Sequence, residues 1–154
     1  MAEQSDYLII GGGIMGLAVA RELNARFPKA AISLIEKEDN VAQHASGRNS
    51  GVLHAGFYYS ADSLKAKFCR DGNAVMRDYV RRRGLRINEC GKVVVAQNES
   101  ELETLHELYR RGQANGVAQK LVDEKETAEI EPNAKTYRQA IYAASTAVVD
   151  PIAI

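Results

Sequence analysis

Tyr7-Leu8-Ile9-Ile10-Gly11-Gly12-Gly13-Ile14-Met15-Gly16 is an apolar run that breaks into Gly11-x-Gly13-x-x-Gly16 and then into a helical pattern. Each glycine answers a steric demand. Gly11 permits the tight turn off a strand, Gly13 lets backbone approach a pyrophosphate, and Gly16 lets the helix lie close on the strand. The free amides at the helix start then face the phosphates. The stretch therefore reads as the phosphate-binding turn of a dinucleotide fold, an α/β architecture of Rossmann type.

The flanking residues supply the context that a lone glycine motif lacks. Leu17, Ala20, Leu23 and Phe27 mark one face of a helix from about Ile14, and Pro28 suits a chain that has just left it. A second strand, Ala31 to Glu36, ends in an acid twenty residues after Gly16. A carboxylate there can accept hydrogen bonds from both hydroxyls of an adenosine ribose, and it repels a 2′-phosphate, which argues against NADP. The bland alternative is that Glu36 only ends a strand and the glycines only make a turn. The order strand, turn, helix, strand, acid favours the nucleotide reading.

With 154 residues, 45% of them hydrophobic, the chain has the size of one ordinary domain and is short for a two-domain oxidoreductase. Its formal net charge of zero gives no case for nucleic-acid binding. The start, MAEQSD, has neither a basic region nor a long apolar one, and the apolar run after it is too short to span a bilayer. The chain reads as cytoplasmic, with peripheral association at an inner membrane left open. Cys69 and Cys90 form no CxxC pair, and His44, His54 and His106 lack metal-ligand spacing, so no metal site is expected. Both thiols read as buried or idle, and His44 and His106 as surface residues.

Beyond Glu36 a loop-rich stretch is expected from Lys37 to Tyr59. A helix follows from Ala61 to Arg83, with Leu64, Phe68, Val75, Met76, Tyr79 and Val80 on one face and Gly84 at its end. The run Arg81-Arg82-Arg83 reads as a solvated last turn that complements the helix dipole, ahead of an anion site. From Gly84 the pattern changes. A β-branched run spans Gly91 to Ala96, a helix with Leu102, Leu105 and Leu108 spans Glu99 to Asn115, and a short acidic helix spans Asp123 to Ile130. Strands are expected near Ala140 to Ala143 and Ala147 to Val149. Residues 1–83 are assigned to a nucleotide domain, 84–149 to the start of a second, α+β substrate domain, and 150–154 to a return.

The run Ser46-Gly47-Arg48-Asn49-Ser50-Gly51-Val52-Leu53-His54-Ala55-Gly56 separates flavin from nicotinamide. Its small residues permit close approach, and Arg48, Asn49 and Ser50 offer donors for a diphosphate. A nicotinamide domain needs no second cradle at this point.

The Gly11 to Gly16 turn, the Leu34 to Glu38 strand end and above all HASGRNSGVLHAGFYYSADSLKAKFC, His44 to Cys69, resemble the D-amino-acid-oxidase-like class of FAD-dependent oxidoreductases. Within that class the likeness is to the N-terminal part of the L-2-hydroxyglutarate oxidase or dehydrogenase family. It continues through CGKVVVA, Cys90 to Ala96, and Glu131-Pro132-Asn133. The resemblance implies an FAD cofactor across the nucleotide domain, a sheet domain over the flavin ring, and oxidation of a small 2-hydroxy acid to a 2-oxo acid. Hydride would pass from substrate C2 to flavin N5, and a quinone or oxygen would reoxidise the flavin.

Carried onto this chain, the resemblance gives Gly11, Gly13 and Gly16 to the pyrophosphate, Glu36 to the adenosine ribose, and Arg48, Ser50 and Gly51 to the flavin-side phosphate or ring. His54 is the candidate catalytic residue, a base or substrate-orienting group with a pKa suited to neutral pH. The alternative is a histidine that packs beneath the flavin without moving protons. Tyr58 and Tyr59 could touch cofactor or substrate, although aromatics in such places more often pack. Family members are more than twice as long, so the chain is expected to be an N-terminal fragment. A two-stranded parallel sheet would leave edges unpaired and apolar faces open. Competing functions are an amino-acid or amine oxidase of the same class, a fragment without activity of its own, and an NAD-binding domain, which the Ser46 to Gly56 run disfavours.

Overall fold

The computed structural model describes residues 4–154, so Met1 to Glu3 of the MAEQSD start lie outside the described residues. The described residues form two compact units, one running to Ser50 together with residues 151–153 and one of residues 51–150 with Ile154.

The first unit is a βαβ arrangement. Strand β1 (Tyr7–Ile10) and strand β2 (Ile32–Ile35) are parallel, with Tyr7 opposite Ile32 and Ile10 opposite Ile35. Helix α1 (Ile14–Arg26) connects them. Side chains alternate along β1, so Tyr7 and Ile9 are half-buried while Leu8 and Ile10 are 59% and 80% exposed. Parallel sheets ordinarily have both faces covered. Among the described residues β1 and β2 pair with each other alone, and the face carrying Leu8 and Ile10 is exposed. On α1, Leu17, Ala20 and Leu23 are half-buried as predicted, and Phe27 stacks on Tyr7 with ring centroids 5.6 Å apart.

The second unit contains strand β3 (Val52–Leu53), helix α2 (Leu64–Arg82), strand β4 (Ile87–Asn88), strand β5 (Lys92–Val95), helix α3 (Glu99–Ala114), strand β6 (Gln119–Asp123), helix α4 (Glu124–Ile130), strand β7 (Gln139–Ala143) and strand β8 (Ala147–Val149). These make two antiparallel sheets, ordered β3-β8-β4 and β5-β7-β6. Ala96, Leu102, Leu105 and Ile141 form one core cluster, and Ala55, Phe57, Val117 and Ala143 another, with Val94 packed on both. Each fully buried Leu or Ile side chain contributes about 1.5–3 kcal/mol.

Helix ends follow local chemistry. Ser63 caps α2 by accepting from the Ala66 amide at 3.1 Å, and Asn98 caps α3 by accepting from Glu101 at 3.1 Å. Asp123 and Glu126 form a reciprocal capping box on α4.

Helix α2 departs from the sequence reading. Val80 is buried and Met76 and Tyr79 are half-buried as expected, but the other inward places belong to Ala66 and Asn73, while Leu64, Phe68 and Val75 are exposed. A polar side chain has taken the inward place because three backbone carbonyls converge on it. The Arg81 to Arg83 run is a solvated last turn: Arg81 pairs with Glu89 at 2.6 Å, Arg82 pairs with Asp78, and Arg83 lies 5.5 Å over the Tyr79 ring. Among the described residues no helix is long and apolar enough to cross a membrane.

Candidate functional site

In the first unit a cleft of about 490 Å³ opens at the carboxyl ends of β1 and β2, lined in part by Gly11, Gly13, Glu36, His44 and Ser46. This is where open α/β sheets take ligands. Gly11 has φ +103°, and a Cβ there would meet nothing within 4 Å, so its glycine requirement is conformational. Gly16 is different. A Cβ on it would stand 2.0 Å from the Gly11 carbonyl oxygen and 3.3 Å from Ile9 Cγ2, so the close approach of helix to strand depends on its bare backbone.

The first amides of α1 have no acceptor within the helix. One of them, Ile14 N–H, donates to Ser46 Oγ at 2.9 Å, a partner that no local pattern announces. The amides of Met15 and Gly16 stand in the same first turn, which follows directly on the cleft-lining Gly11 and Gly13.

Glu36 lines the same cleft and is bonded to the glycine turn itself. Its Oε2 accepts from Gly12 N–H at 2.6 Å, and its Oε1 accepts from the amides of Lys37 at 2.8 Å and Glu38 at 3.2 Å. The Gly12 bond is the largest cause that holds its pKa below the usual carboxylate range, and Glu38, Lys37 and His44 add to it. Three amides fill most of a carboxylate's roughly four acceptor positions, which leaves room for one further donor. Because the folded pKa is depressed, this carboxylate stabilises the fold fully above the ordinary carboxylate pKa, and the contribution disappears as pH falls through the folded value. Glu36→Gln is therefore expected to lower the melting temperature at neutral pH, with the difference from the parent closing on acidification. A difference that stays constant with pH would contradict this.

The loop after β2 is held by its own side chains. Asn49 Nδ2 donates to the carbonyls of Ala45 at 3.0 Å and Ser46 at 2.8 Å, so its donors serve the turn and not a diphosphate. Arg48 and Ser50 are exposed on the same turn and lie outside the cleft lining. His44 bonds Glu38 Oε1 at 2.8 Å and lines the cleft, which the sequence reading missed.

Gly51 and His54 belong to the second unit. Gly51 is buried with φ +64°, and its carbonyl accepts from Val149 N–H at 2.9 Å. His54 follows β3, and two buried amides hold the loop that carries it. Asn73 Nδ2, on α2, lies 2.9 Å from the Leu53 carbonyl, 3.2 Å from that of His54 and 3.1 Å from that of Ser145. Asn115 Nδ2, after α3, donates to the carbonyls of Gly56 at 3.0 Å and Tyr59 at 2.9 Å. Partial burial of the His54 ring, reinforced by the ammonium of Lys92, pushes its pKa down. The shift favours the neutral imidazole, whose unprotonated nitrogen can accept a proton. His106, expected at the surface, is half-buried and bonds Gln139 Oε1 at 2.7 Å.

A glycine turn of this geometry, an acid at the end of the second strand and a cleft lined by both fit a dinucleotide diphosphate and its ribose. The sequence profile of FAD-dependent oxidoreductases matches residues 6–154. The chain belongs to that family. Among its relatives, a mitochondrial L-2-hydroxyglutarate dehydrogenase from Dictyostelium discoideum is 44% identical over 147 residues, which are 94% of this chain and 33% of that protein. The L-2-hydroxyglutarate dehydrogenase of Escherichia coli K12 is 44% identical over 128 residues, 83% of this chain and 30% of that one. The chain thus spans about a third of the length of the curated relatives it matches. Among solved structures, the FAD-bound L-α-glycerophosphate oxidase of Mycoplasma pneumoniae superposes with a TM-score of 0.88 at 31% identity, covering 98% of this chain and 40% of that one. Glycine oxidase from Geobacillus kaustophilus does so with 0.81 at 25% identity, covering 97% and 42%. The fold is the partial Rossmann-like fold of this oxidoreductase family, with a mixed antiparallel unit after it.

Proposed function

We propose that this chain binds FAD and forms the N-terminal part of an enzyme that oxidises a small 2-hydroxy acid, with L-2-hydroxyglutarate and 2-oxoglutarate as the pair. The observation that carries the reading is the cleft lined by Gly11, Gly13 and Glu36, on a chain 44% identical to L-2-hydroxyglutarate dehydrogenases. Gly11, Gly13 and the first-turn amides of α1 would hold the pyrophosphate, with Gly16 keeping the helix close enough to do so. Glu36, fixed by three amides, would use its remaining acceptor position for one ribose hydroxyl. Arg48, Ser50 and Gly51 would serve the flavin-side phosphate or ring.

Bound FAD would supply the two-electron acceptor, its N5, for the hydride that leaves the substrate's C2. The protein's part is proton management and orientation. His54, neutral and fixed through its backbone by Asn73, would take the C2 hydroxyl proton on its free ring nitrogen. Residues 1–83 are proposed as nucleotide-domain sequence and 84–149 as the beginning of the substrate domain. The cytoplasm is the proposed setting, with docking at the inner membrane where a quinone serves as acceptor.

The reading is tested by titrating FAD into the 154-residue chain and following the quenching of flavin fluorescence. Saturation at one equivalent, with a yellow protein after gel filtration, is the expected result. Absence of quenching, or NADH fluorescence enhancement in its place, would refute it. Glycine oxidase among the structural relatives makes an amino acid the second substrate class, and turnover of glycine in preference to L-2-hydroxyglutarate would select it.

A further inference from the structure

We propose that Lys92, Tyr58 and His54 form a carboxylate-recognition site in the second unit, which takes the C1 carboxylate of a 2-hydroxy acid and sets its C2 hydroxyl beside the His54 imidazole. The inference deepens the proposed function and rests on it.

The geometry starts from the pleat of β5. Lys92 and Val94 share a face of that strand, since side chains two residues apart point the same way. Val94 packs on the cluster containing Ala55 and Phe57, so Lys92 is delivered to the loop that carries His54. Its ammonium lies 4.7 Å from the centroid of the Tyr58 ring, and that ring packs on Phe57 with centroids 4.3 Å apart. Lys92 is half-buried and has no ion-pair partner among the described residues.

Lys65 over Tyr59 and Arg83 over Tyr79 make the same kind of contact, but both cations are exposed, whereas Lys92 is half-buried. Arg77 and Arg81 share Glu89, Arg110 and Arg111 share Glu107, and Lys120 reaches Glu126. Lys92 has an aromatic face and a neighbouring imidazole in their place, and its positive charge already disfavours a proton on His54. A half-covered ammonium with no counter-ion is electrostatically uncompensated, and a bound anion would supply the missing charge. A carboxylate on Lys92 neutralises the lysine and returns basicity to His54. The imidazole thereby becomes a better proton acceptor when substrate is present. The 2-hydroxy acid suits this, because its carboxylate and its reacting hydroxyl are borne by adjacent carbons.

The loop is rigid enough to keep such a spacing. Asn73 fixes the carbonyls of residues 53 and 54, and Asn115 those of residues 56 and 59, so His54 and Tyr58 lie between two clamps. Gly56 has φ +95°, and a Cβ there would meet Ala66 O, Arg70 N and Cys69 Cβ at 3.4 Å, which leaves the loop little freedom to shift toward α2.

The test follows the His54 imidazole resonances of the 154-residue chain by NMR at fixed pH while L-2-hydroxyglutarate, or its uncharged diamide, is added. Lys92→Met and Lys92→Arg are compared, with melting temperatures to verify folding. The dianion is expected to shift the His54 signals in the parent and in Lys92→Arg, and the diamide is not. Lys92→Met is expected to weaken that binding by about tenfold or more, the loss that follows removal of one charged hydrogen bond. Equal binding by folded Lys92→Met, equal shifts with the diamide, or no shift in the parent would each overturn the site. FAD titration of the same samples separates this from the wider reading. FAD bound without a carboxylate response defeats the Lys92 site alone, whereas no FAD binding defeats the proposed function.

Discussion

Gly16→Ala is expected to disrupt the nucleotide turn, whereas Gly72→Ala, the same change inside another helix, is expected to stabilise the chain. Both glycines lie within helices, where alanine is preferred by about 0.5–1 kcal/mol. What separates them is space. A Cβ on Gly72 meets nothing within 4 Å, so the propensity gain is realised in full. On Gly16 it would stand 2.0 Å from the Gly11 carbonyl oxygen. That oxygen belongs to backbone in a left-handed turn and cannot swing aside as a side chain could. Relief requires α1 to lift from β1 by about an ångström, and forced overpacking of this kind costs about 1–3 kcal/mol, occasionally more. The cost exceeds the propensity gain.

Lifting α1 also moves its first-turn amides away from the phosphates they would hold. FAD affinity should therefore fall by at least about tenfold, which corresponds to ~1.4 kcal/mol. Calorimetric titration of FAD and amide exchange of β1 measure the two effects. A Gly16→Ala chain that melts with the parent and binds FAD equally would mean that the helix does not rest on that carbonyl.

The parts of this molecule that could be read from sequence are those whose causes are local. The strand, glycine turn, helix and acid between Tyr7 and Glu36 follow one another within thirty residues. Each is specified by its own period or cap. The same holds for α4, where Asp123 and Glu126 satisfy each other's backbone across three positions. Strands β3 and β4 were hidden because two residues carry no period. They exist as strands only through β8, to which both pair from distant points in the chain. Strand β6 was hidden by its polar ends, Gln119 and Asp123, although Leu121 and Val122 lie between them.

Helix α2 shows how an apolar stripe can mislead. Of the expected face, Met76, Tyr79 and Val80 turn inward, but Leu64, Phe68 and Val75 are exposed and their places are taken by Ala66 and Asn73. Nothing near Asn73 in sequence announces the carbonyls that draw it inward, since they belong to residues 53, 54 and 145. The candidate site divides the same way. Gly11, Gly13 and Glu36 were legible from spacing, while the Ser46 bond to Ile14, the Asn115 clamp and the approach of Lys92 to Tyr58 join residues 32 to 59 positions apart.

Asn73 is the residue through which those long-range causes reach His54, and its replacement should be among the most damaging in the second unit. The side chain is only 9% exposed, and its amide serves three carbonyls on two different loops. Asn73→Ala raises intrinsic helix propensity by up to about 0.7 kcal/mol. It also strips the donor from the part-buried carbonyls of Leu53 and His54, a loss of about 1–3 kcal/mol for a buried group left without its bond, while the Ser145 carbonyl keeps Arg77 Nη1 at 3.1 Å. The loss wins, and a destabilisation of roughly 2 kcal/mol lowers the melting temperature of a chain this size by several degrees.

Asn73→Asp sharpens the point because it preserves shape and reverses chemistry. A carboxylate in the same place offers acceptors to carbonyls that are themselves acceptors, in surroundings where an unpaired charge is costly. It should therefore be less stable than Asn73→Ala, although it is the closer match in size. If volume alone mattered, the order would be reversed. Melting curves of the three chains at neutral pH decide between the two orders. Holding Leu53 and His54 in place is then attributable to two amide protons and not to the bulk of the side chain.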